Sequence, residues 1–176
     1  VYLMAGVHHN VFNGEYLPIA IKDYTILKGV SQSQTRLYAE NMIEGTGVVT
    51  MGIERYGMTL RDLSITTFNA SALFSFGVHS CFVQNITIEN STVNRFLFVT
   101  GYITSTFTLS NITMQNNIAY FHDYGLRLEG SVITLDNILM RNNQVPSLPS
   151  YWYQRGCGGF DIYVKDLLTI KNSKFI

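Results

Sequence analysis

One phrase recurs along this chain at nearly constant intervals. Its three closest copies are Q-N-I-T-I-E-N-S at 84–91, S-N-I-T-M-Q-N-N at 110–117 and D-N-I-L-M-R-N-N at 136–143, and weaker copies stand at 62–67 and 167–173. The first apolar residue of each copy forms the series Leu63, Ile86, Ile112, Ile138 and Leu168, with steps of 23, 26, 26 and 30 residues. A recurrence in this range is typical of stacked supersecondary units.

Apolar residues alternate with polar ones inside each copy, as at Ile112 and Met114 or Ile138 and Met140. This period of two predicts a β-strand. A second strand-like run precedes each copy, for example R-F-L-F-V-T-G at 95–101. No helical stretch of 10–15 residues separates the runs, so units of strand, helix and strand are excluded and a coil of short strands is favoured.

An asparagine stands four residues after most of these apolar positions, as Asn90, Asn116, Asn142 and Asn172, while the first copy has Thr67. Asparagine tolerates the left-handed backbone of a tight corner, and its amide can donate and accept along a stacked column. With this ladder, residues 19–176 resemble the right-handed parallel β-helices of the pectin-lyase-like superfamily.

The predicted fold is therefore all-β, a right-handed single-stranded parallel β-helix solenoid of about five to six coils. One domain covers 1–176, with a leading strand and turn at 1–18, a first coil at 19–46, and regular coils over 47–176 that carry a protruding loop at 142–159. Because K-N-S-K-F-I stops just after a ladder asparagine, we expect the chain to be part of a longer solenoid.

Charge excludes several partners. Charged residues make up 14% of the chain and the formal net charge is zero, so no basic surface for nucleic acid or an anionic membrane is expected. No apolar run approaches the ~18 residues that span a bilayer. No cofactor or metal is predicted, since His8–His9 and His122–Asp123 are more typical of surface turns than of metal ligands.

Four N-glycosylation sequons begin at Asn69, Asn85, Asn90 and Asn111. Asn85 and Asn111 precede an inward isoleucine and are expected to face solvent, so glycans are predicted at Asn69, Asn85 and Asn111, but not at the ladder residue Asn90. Cys81 stands at an apolar position and is predicted to be a buried thiol outside any disulfide, whereas Cys157 lies in an exposed R-G-C-G-G loop where it could pair with a partner.

Two sets of residues are candidates for binding or chemistry. Tyr151, Trp152 and Tyr153 lie in the proline-containing loop, as a platform for a sugar or partner chain or as a flap folded onto the solenoid. Alternation places Arg127, Glu129, Asp161, Tyr163 and Lys165 on one outward surface, either as weak catalytic candidates or as an ordinary solvated sheet face. The resemblance implies enzymes of acidic polysaccharides, but the Asp-Asp, Asn-Thr-Asp and Gly-His-Gly motifs of polygalacturonases are absent from this sequence.

The sequence thus favours an extracellular or cell-surface structural or adhesive rod over an enzyme. Its expected partners are proteins or further copies bound through the solenoid ends or flanks, or glycans; nucleic acid and membrane insertion are not expected. The alternative is a carbohydrate-active enzyme or a carbohydrate-binding module of the same fold. A fragment of a trimeric phage tailspike is a third possibility.

Overall fold

A computed structural model describes residues 1–12, 14, 17–42, 47–51, 55–69, 71–75, 78–93, 98–101, 104–119, 126–144 and 160–176. The described residues form fifteen β-strands and no helix. The strands are β1 (Gly6–His9), β2 (Ile19–Ile21), β3 (Ile26–Lys28), β4 (Thr35–Glu40), β5 (Gly47–Met51), β6 (Met58–Phe68), β7 (Ser71–Ser75), β8 (Ser80–Glu89), β9 (Thr92–Val93), β10 (Phe98–Gly101), β11 (Thr106–Gln115), β12 (Ile118–Ala119), β13 (Leu126–Arg141), β14 (Phe160–Lys171) and β15 (Lys174–Phe175).

Each strand pairs in parallel with the strand one turn away, which confirms a parallel β-solenoid. The pairing forms three long ladders, while β9 and β12 form a short fourth one between Phe68 of β6 and Gln144. The first ladder runs through β2, β5, β7, β10 and the starts of β13 and β14. The second runs through β3, the first parts of β6, β8 and β11, the middle of β13 and the end of β14. The third runs through β1, β4, the second parts of β6, β8 and β11, the end of β13 and β15.

The solenoid has about four turns, so the prediction of five to six coils is too high. The register inside the repeat agrees with the sequence, since Ile86, Ile112 and Ile138 are directly paired neighbours.

Bends separate the second ladder from the third. At this corner the chain passes through residues with φ of 52–61°, namely Asp62, Asn85, Asn111, Asn137 and Asn172, which we call the first asparagine column. A left-handed backbone costs most residues about 1–2 kcal/mol but is well tolerated by Asn and Asp. Gly29 fills this corner in the earliest turn, because a Cβ there would lie 2.3 Å from the Asp62 carbonyl oxygen.

The interior is filled by columns of apolar side chains, one residue per rung. Ile112 and Ile138 both point inward and are 2% and 1% exposed, as predicted. Each such side chain stabilises the fold by roughly 1.5–3 kcal/mol on burial. The four main columns are Met58–Cys81–Phe107–Ile133, Leu60–Val83–Leu109–Leu135, Leu63–Ile86–Ile112–Ile138 and Ile65–Ile88–Met114–Met140.

The last rung differs from the sequence prediction. The repeated phrase aligns Leu168 with Ile138, but in the structure Leu168 pairs with Ile133, and Ile170 pairs with Leu135. The register also shifts between Gly130 and Val132. The phrase at 167–173 therefore belongs to the second ladder and the first corner.

Candidate functional site

The last described rung of the solenoid carries apolar side chains that are exposed within the described residues. Leu168 and Ile170 continue two inner columns, yet they are 42% and 45% exposed, while their partners Ile133 and Leu135 are fully buried. The difference arises because Ile133 and Leu135 have a rung on each side, whereas within the described residues Leu168 and Ile170 have one on a single side. We call Leu167, Leu168, Ile170 and the backbone of β14 the open rung.

The backbone of the open rung is also suited to pairing. Among the described residues β14 pairs with β13 alone, so one edge of a twelve-residue strand faces outward. An exposed edge presents a row of N–H and C=O groups that another strand can satisfy. The open rung therefore combines directional hydrogen-bonding groups with side chains whose burial is favourable.

At the opposite end of the described residues, residues 1–12 cover the side of the third ladder, whereas β2 of the first ladder has a described partner, β5, on one side alone. β1 pairs with β4, and Tyr2 forms a parallel bridge with Lys28. Beyond β1, the Asn10 amide mimics a strand residue: Nδ2 donates to the Glu40 carbonyl oxygen at 2.9 Å and Oδ1 accepts from the Glu40 amide at 3.0 Å. The first inner residues, Leu27 and Leu37, are consequently buried.

His9 stabilises this covering segment. The backbone amides of Val11 and Phe12 donate to His9 Nδ1 at 2.9 and 3.2 Å, and the ring stacks on Tyr38 at a centroid distance of 4.4 Å. His9 is therefore a buried structural residue, and no group of three or more His, Cys, Asp or Glu side chains within the described ranges is arranged to hold a metal.

Polar contacts fix the open rung to the turn before it. Asn172 Nδ2 donates to Asp136 Oδ1 at 3.0 Å, and Lys171 Nζ lies 3.3 Å from Asp136 Oδ2. The hydrogen bond from Asn172, aided by Lys171, lowers the pKa of Asp136 below its ordinary value. Ser131 Oγ also donates to Asp166. These contacts hold β14 in register and leave its outer edge uncovered.

The weak catalytic candidates lie on the first ladder. Arg127 is directly beside Asp161, and Glu129 is beside Tyr163. Arg127, Tyr163 and Lys165 are exposed and Glu129 is half-buried, whereas the alternating residue Leu128 is buried. The structure thus places the four described side chains on an outward surface, and the register brings Asp161 next to them.

Several sequence candidates lie outside the described residues. These are Tyr151, Trp152 and Tyr153, together with Cys157 and the pair His122–Asp123. Cys81 is a buried thiol, as predicted, and burial raises its pKa to about 12.

The predicted ladder asparagines occupy two different corners. Asn90, Asn116 and Asn142 have φ of 51–55° after the third ladder, and Asn142 Nδ2 donates to Asn116 Oδ1 at 3.4 Å. Asn172 lies instead in the first asparagine column. In the turn where the sequence has Thr67, β6 runs on to Phe68, and Asn69 adopts the left-handed conformation and donates to Asn41 Oδ1 at 3.1 Å.

Sequence reasoning missed a column of inward polar residues beside the corner that follows the third ladder, formed by Thr67, Ser91, Asn117 and Asn143. Asn117 Nδ2 donates to the Ile88 carbonyl oxygen at 3.0 Å and to Asn143 Oδ1 at 2.9 Å, while Asn117 Oδ1 accepts from the Ser91 amide at 2.9 Å. The signal was present in the repeated phrase, where each corner asparagine is followed by Ser or Asn at 90–91, 116–117 and 142–143.

The chain belongs to the class of parallel β-solenoids by its fold. No protein-family model, no curated protein and no solved structure matches it. Within the described residues, no helix has the length and apolar character needed to cross a membrane.

Proposed function

We propose that this β-solenoid is an extracellular or cell-surface structural rod that associates with another β-rung through its open end. The observation that carries the proposal is the exposure of Leu168 and Ile170 in columns that are buried throughout the earlier turns. Covering these side chains removes apolar surface from water, and a parallel strand along β14 satisfies the backbone edge.

A second copy of this chain is the partner that the proposal commits to. The contact joins the open rung of one copy to a different surface of the next, which is a heterologous arrangement that generates filaments unless it closes into a ring. Zero net charge supports such association, because copies of the chain do not repel each other strongly.

The experiment is analytical ultracentrifugation of the chain over a range of concentrations. We expect the unmodified chain to self-associate and the variants Leu168→Lys and Ile170→Lys to remain monomeric, because each places a charge in the contact. The control is Phe82→Lys, since Phe82 is 52% exposed on the outer face of the second ladder, away from the open rung. A chain that is monomeric at ~100 μM, or one that loses association equally with Phe82→Lys, contradicts the proposal.

A carbohydrate-active enzyme or binding module is the second function that the sequence allowed. The outward position of Arg127 and Glu129 on the first ladder supports it, since this surface is accessible to a long polymer. Glu129→Ala tests it in a screen of uronate and neutral glycans. Loss of an activity on that substitution supports the enzyme, and its persistence argues against this surface as the site.

A further inference from the structure

We propose that Asn90 is the N-glycan acceptor of this chain. Four sequons compete for this role, at Asn69, Asn85, Asn90 and Asn111. The sequence alone favoured the other three, on the expectation that Asn90 alone belonged to a ladder. The hydrogen bonds reverse that order.

The acceptor atom in N-glycosylation is Nδ2, and in three of the four sequons this atom already donates to a stacked neighbour. Asn85 Nδ2 donates to Asp62 Oδ1 at 2.7 Å, Asn111 Nδ2 to Asn85 Oδ1 at 2.9 Å, and Asn69 Nδ2 to Asn41 Oδ1 at 3.1 Å. Each bond points along the solenoid axis toward a rung about 4.8 Å away, a gap that a sugar ring does not fit.

Asn85 and Asn111 are held from both sides. Asn85 Oδ1 accepts from Asn111, and Asn111 Oδ1 accepts from Asn137 Nδ2 at 2.8 Å. Both ends of each amide are therefore engaged inside one continuous column. Nδ2 has two hydrogens and keeps one after glycosylation, so the conflict is steric: a sugar on either nitrogen lies against stacked amides that are only about 4.8 Å apart.

Asn90 stands outside these columns by its side chain. It is exposed, and within the described part of the chain its Nδ2 donates to no stacked neighbour; the bond between Asn142 and Asn116 begins one rung further along. Its position in the fold is fixed through the backbone, because the Asn90 amide donates to the Gln115 carbonyl oxygen at 3.2 Å. The following residue, Ser91, is turned inward and buried, so the exposed amide projects away from the inner polar column.

The reaction is a group transfer from a lipid-diphosphate-linked oligosaccharide. A bond forms between Asn90 Nδ2 and the anomeric carbon of the first sugar, the bond from that carbon to the diphosphate oxygen breaks, and the proton lost from Nδ2 leaves with the lipid diphosphate and solvent. No electrons are exchanged, and Nδ2 retains one hydrogen.

The test is to secrete the full 176-residue chain from a eukaryotic cell behind a signal peptide and map the glycopeptides of the folded, protease-resistant fraction by mass spectrometry. We expect a glycan on Asn90 and none on Asn69, Asn85 or Asn111. Thr92→Ala removes the sequon while keeping Asn90, and it is expected to abolish the glycan. The matched substitutions Thr87→Ala and Thr113→Ala, which remove the sequons of Asn85 and Asn111, are expected to change nothing.

Two results overturn the proposal: an unmodified Asn90 in secreted, folded protein, or a glycan on Asn85 or Asn111 in that same fraction. If Thr92→Ala is not secreted, Asn90→Gln provides the same comparison. The outcome is independent of the proposed association through the open rung, because the glycan is scored by mass and the association by sedimentation.

Discussion

Asn117→Ala is expected to be one of the most destabilising polar substitutions in the chain. Asn117 is 1% exposed, and its side chain makes three hydrogen bonds, to the Ile88 carbonyl oxygen, to Asn143 Oδ1 and from the Ser91 amide. Alanine removes all three. Asn143 Oδ1 keeps a bond from the Asn117 backbone amide at 3.2 Å, but the Ser91 amide and the Ile88 carbonyl each lose a partner.

A buried polar group left without its partner costs about 1–3 kcal/mol, so two such groups give an expected loss of about 2–6 kcal/mol. The matched control is Asn137→Gly. Asn137 is exposed, donates one bond to Asn111 Oδ1 at 2.8 Å and has φ of 56°, which glycine adopts readily. Because water replaces an exposed hydrogen bond, we expect that variant to lose only about 0.5–1.5 kcal/mol.

The assay is urea unfolding of both variants beside the unmodified chain, followed by circular dichroism, with the slope checked for each since solenoids can unfold turn by turn. Equal losses in Asn117→Ala and Asn137→Gly refute the reasoning, because they show that burial does not set the cost. A loss below about 1 kcal/mol for Asn117→Ala refutes it as well.

Two further predictions concern titration. Burial raises the pKa of Cys81 from its ordinary value of 9.0 to about 12, so the contribution of the neutral thiol to stability is complete below pH 9 and is lost as the pH rises toward 12. In that window the free energy of unfolding is expected to fall by up to about 1.4 kcal/mol per pH unit. Cys81→Val, measured by the same denaturant titrations, is expected to remove this part of the pH dependence. An identical slope in Cys81→Val contradicts the assignment. At Asp136 the hydrogen bond from Asn172 is the largest cause of the lowered pKa, so Asn172→Gly, which keeps the left-handed backbone, is expected to raise that pKa in a carboxyl NMR titration; an unmoved pKa argues that Asn172 does not bind the carboxylate in solution.

The fold could be predicted because two independent periods agree in the sequence. Alternation in the phrase around Ile112 required a strand, and the step of 26 residues to Ile138 required that strand to stack on its neighbour. Both residues are buried and paired in register. A side chain that satisfies a local and a long-range pattern together leaves little freedom for another arrangement.

The last rung could not be aligned in the same way, because two corners of this solenoid require the same residue. T-I-K-N at 169–172 is similar to T-I-E-N at 87–90, which ends in the second corner, and equally to T-L-D-N at 134–137, which ends in the first. Both corners need a left-handed residue, so asparagine marks each of them. The sequence at 142–159 contains no copy of the repeated phrase, so the alignment cannot be continued from Asn142 to Leu168. Only the pairing of Leu168 with Ile133 distinguishes the two alignments.

The candidate site was harder to predict for a related reason. Leu168 and Ile170 have the same pattern as the buried residues of earlier turns, so nothing local in the sequence shows that they are exposed. Their exposure depends on whether another strand stacks on the outer edge of β14, and the residues of β14 do not encode this. The inner polar column, by contrast, could have been predicted from the repeated phrase, where Ser91 and Asn117 each follow a corner asparagine. It was missed because the asparagine before each of them was sufficient to account for the corner.

The register of the last rung also determines which part of the open end is apolar. Ser173 takes the inner position that Leu63, Ile86, Ile112 and Ile138 hold in earlier rungs, and its hydroxyl accepts from the Ile138 amide at 3.1 Å. A hydroxyl here interrupts the apolar surface between Leu168 and Ile170 on the second ladder and Phe175, which continues the Met140 column on the third ladder and is 37% exposed. Ser173→Ile is therefore expected to extend the apolar surface and to strengthen the self-association proposed above, measured as a lower dissociation constant by sedimentation, even though the Ile138 amide loses its acceptor. An unchanged or weaker association in Ser173→Ile contradicts the idea that apolar area at this end drives the contact.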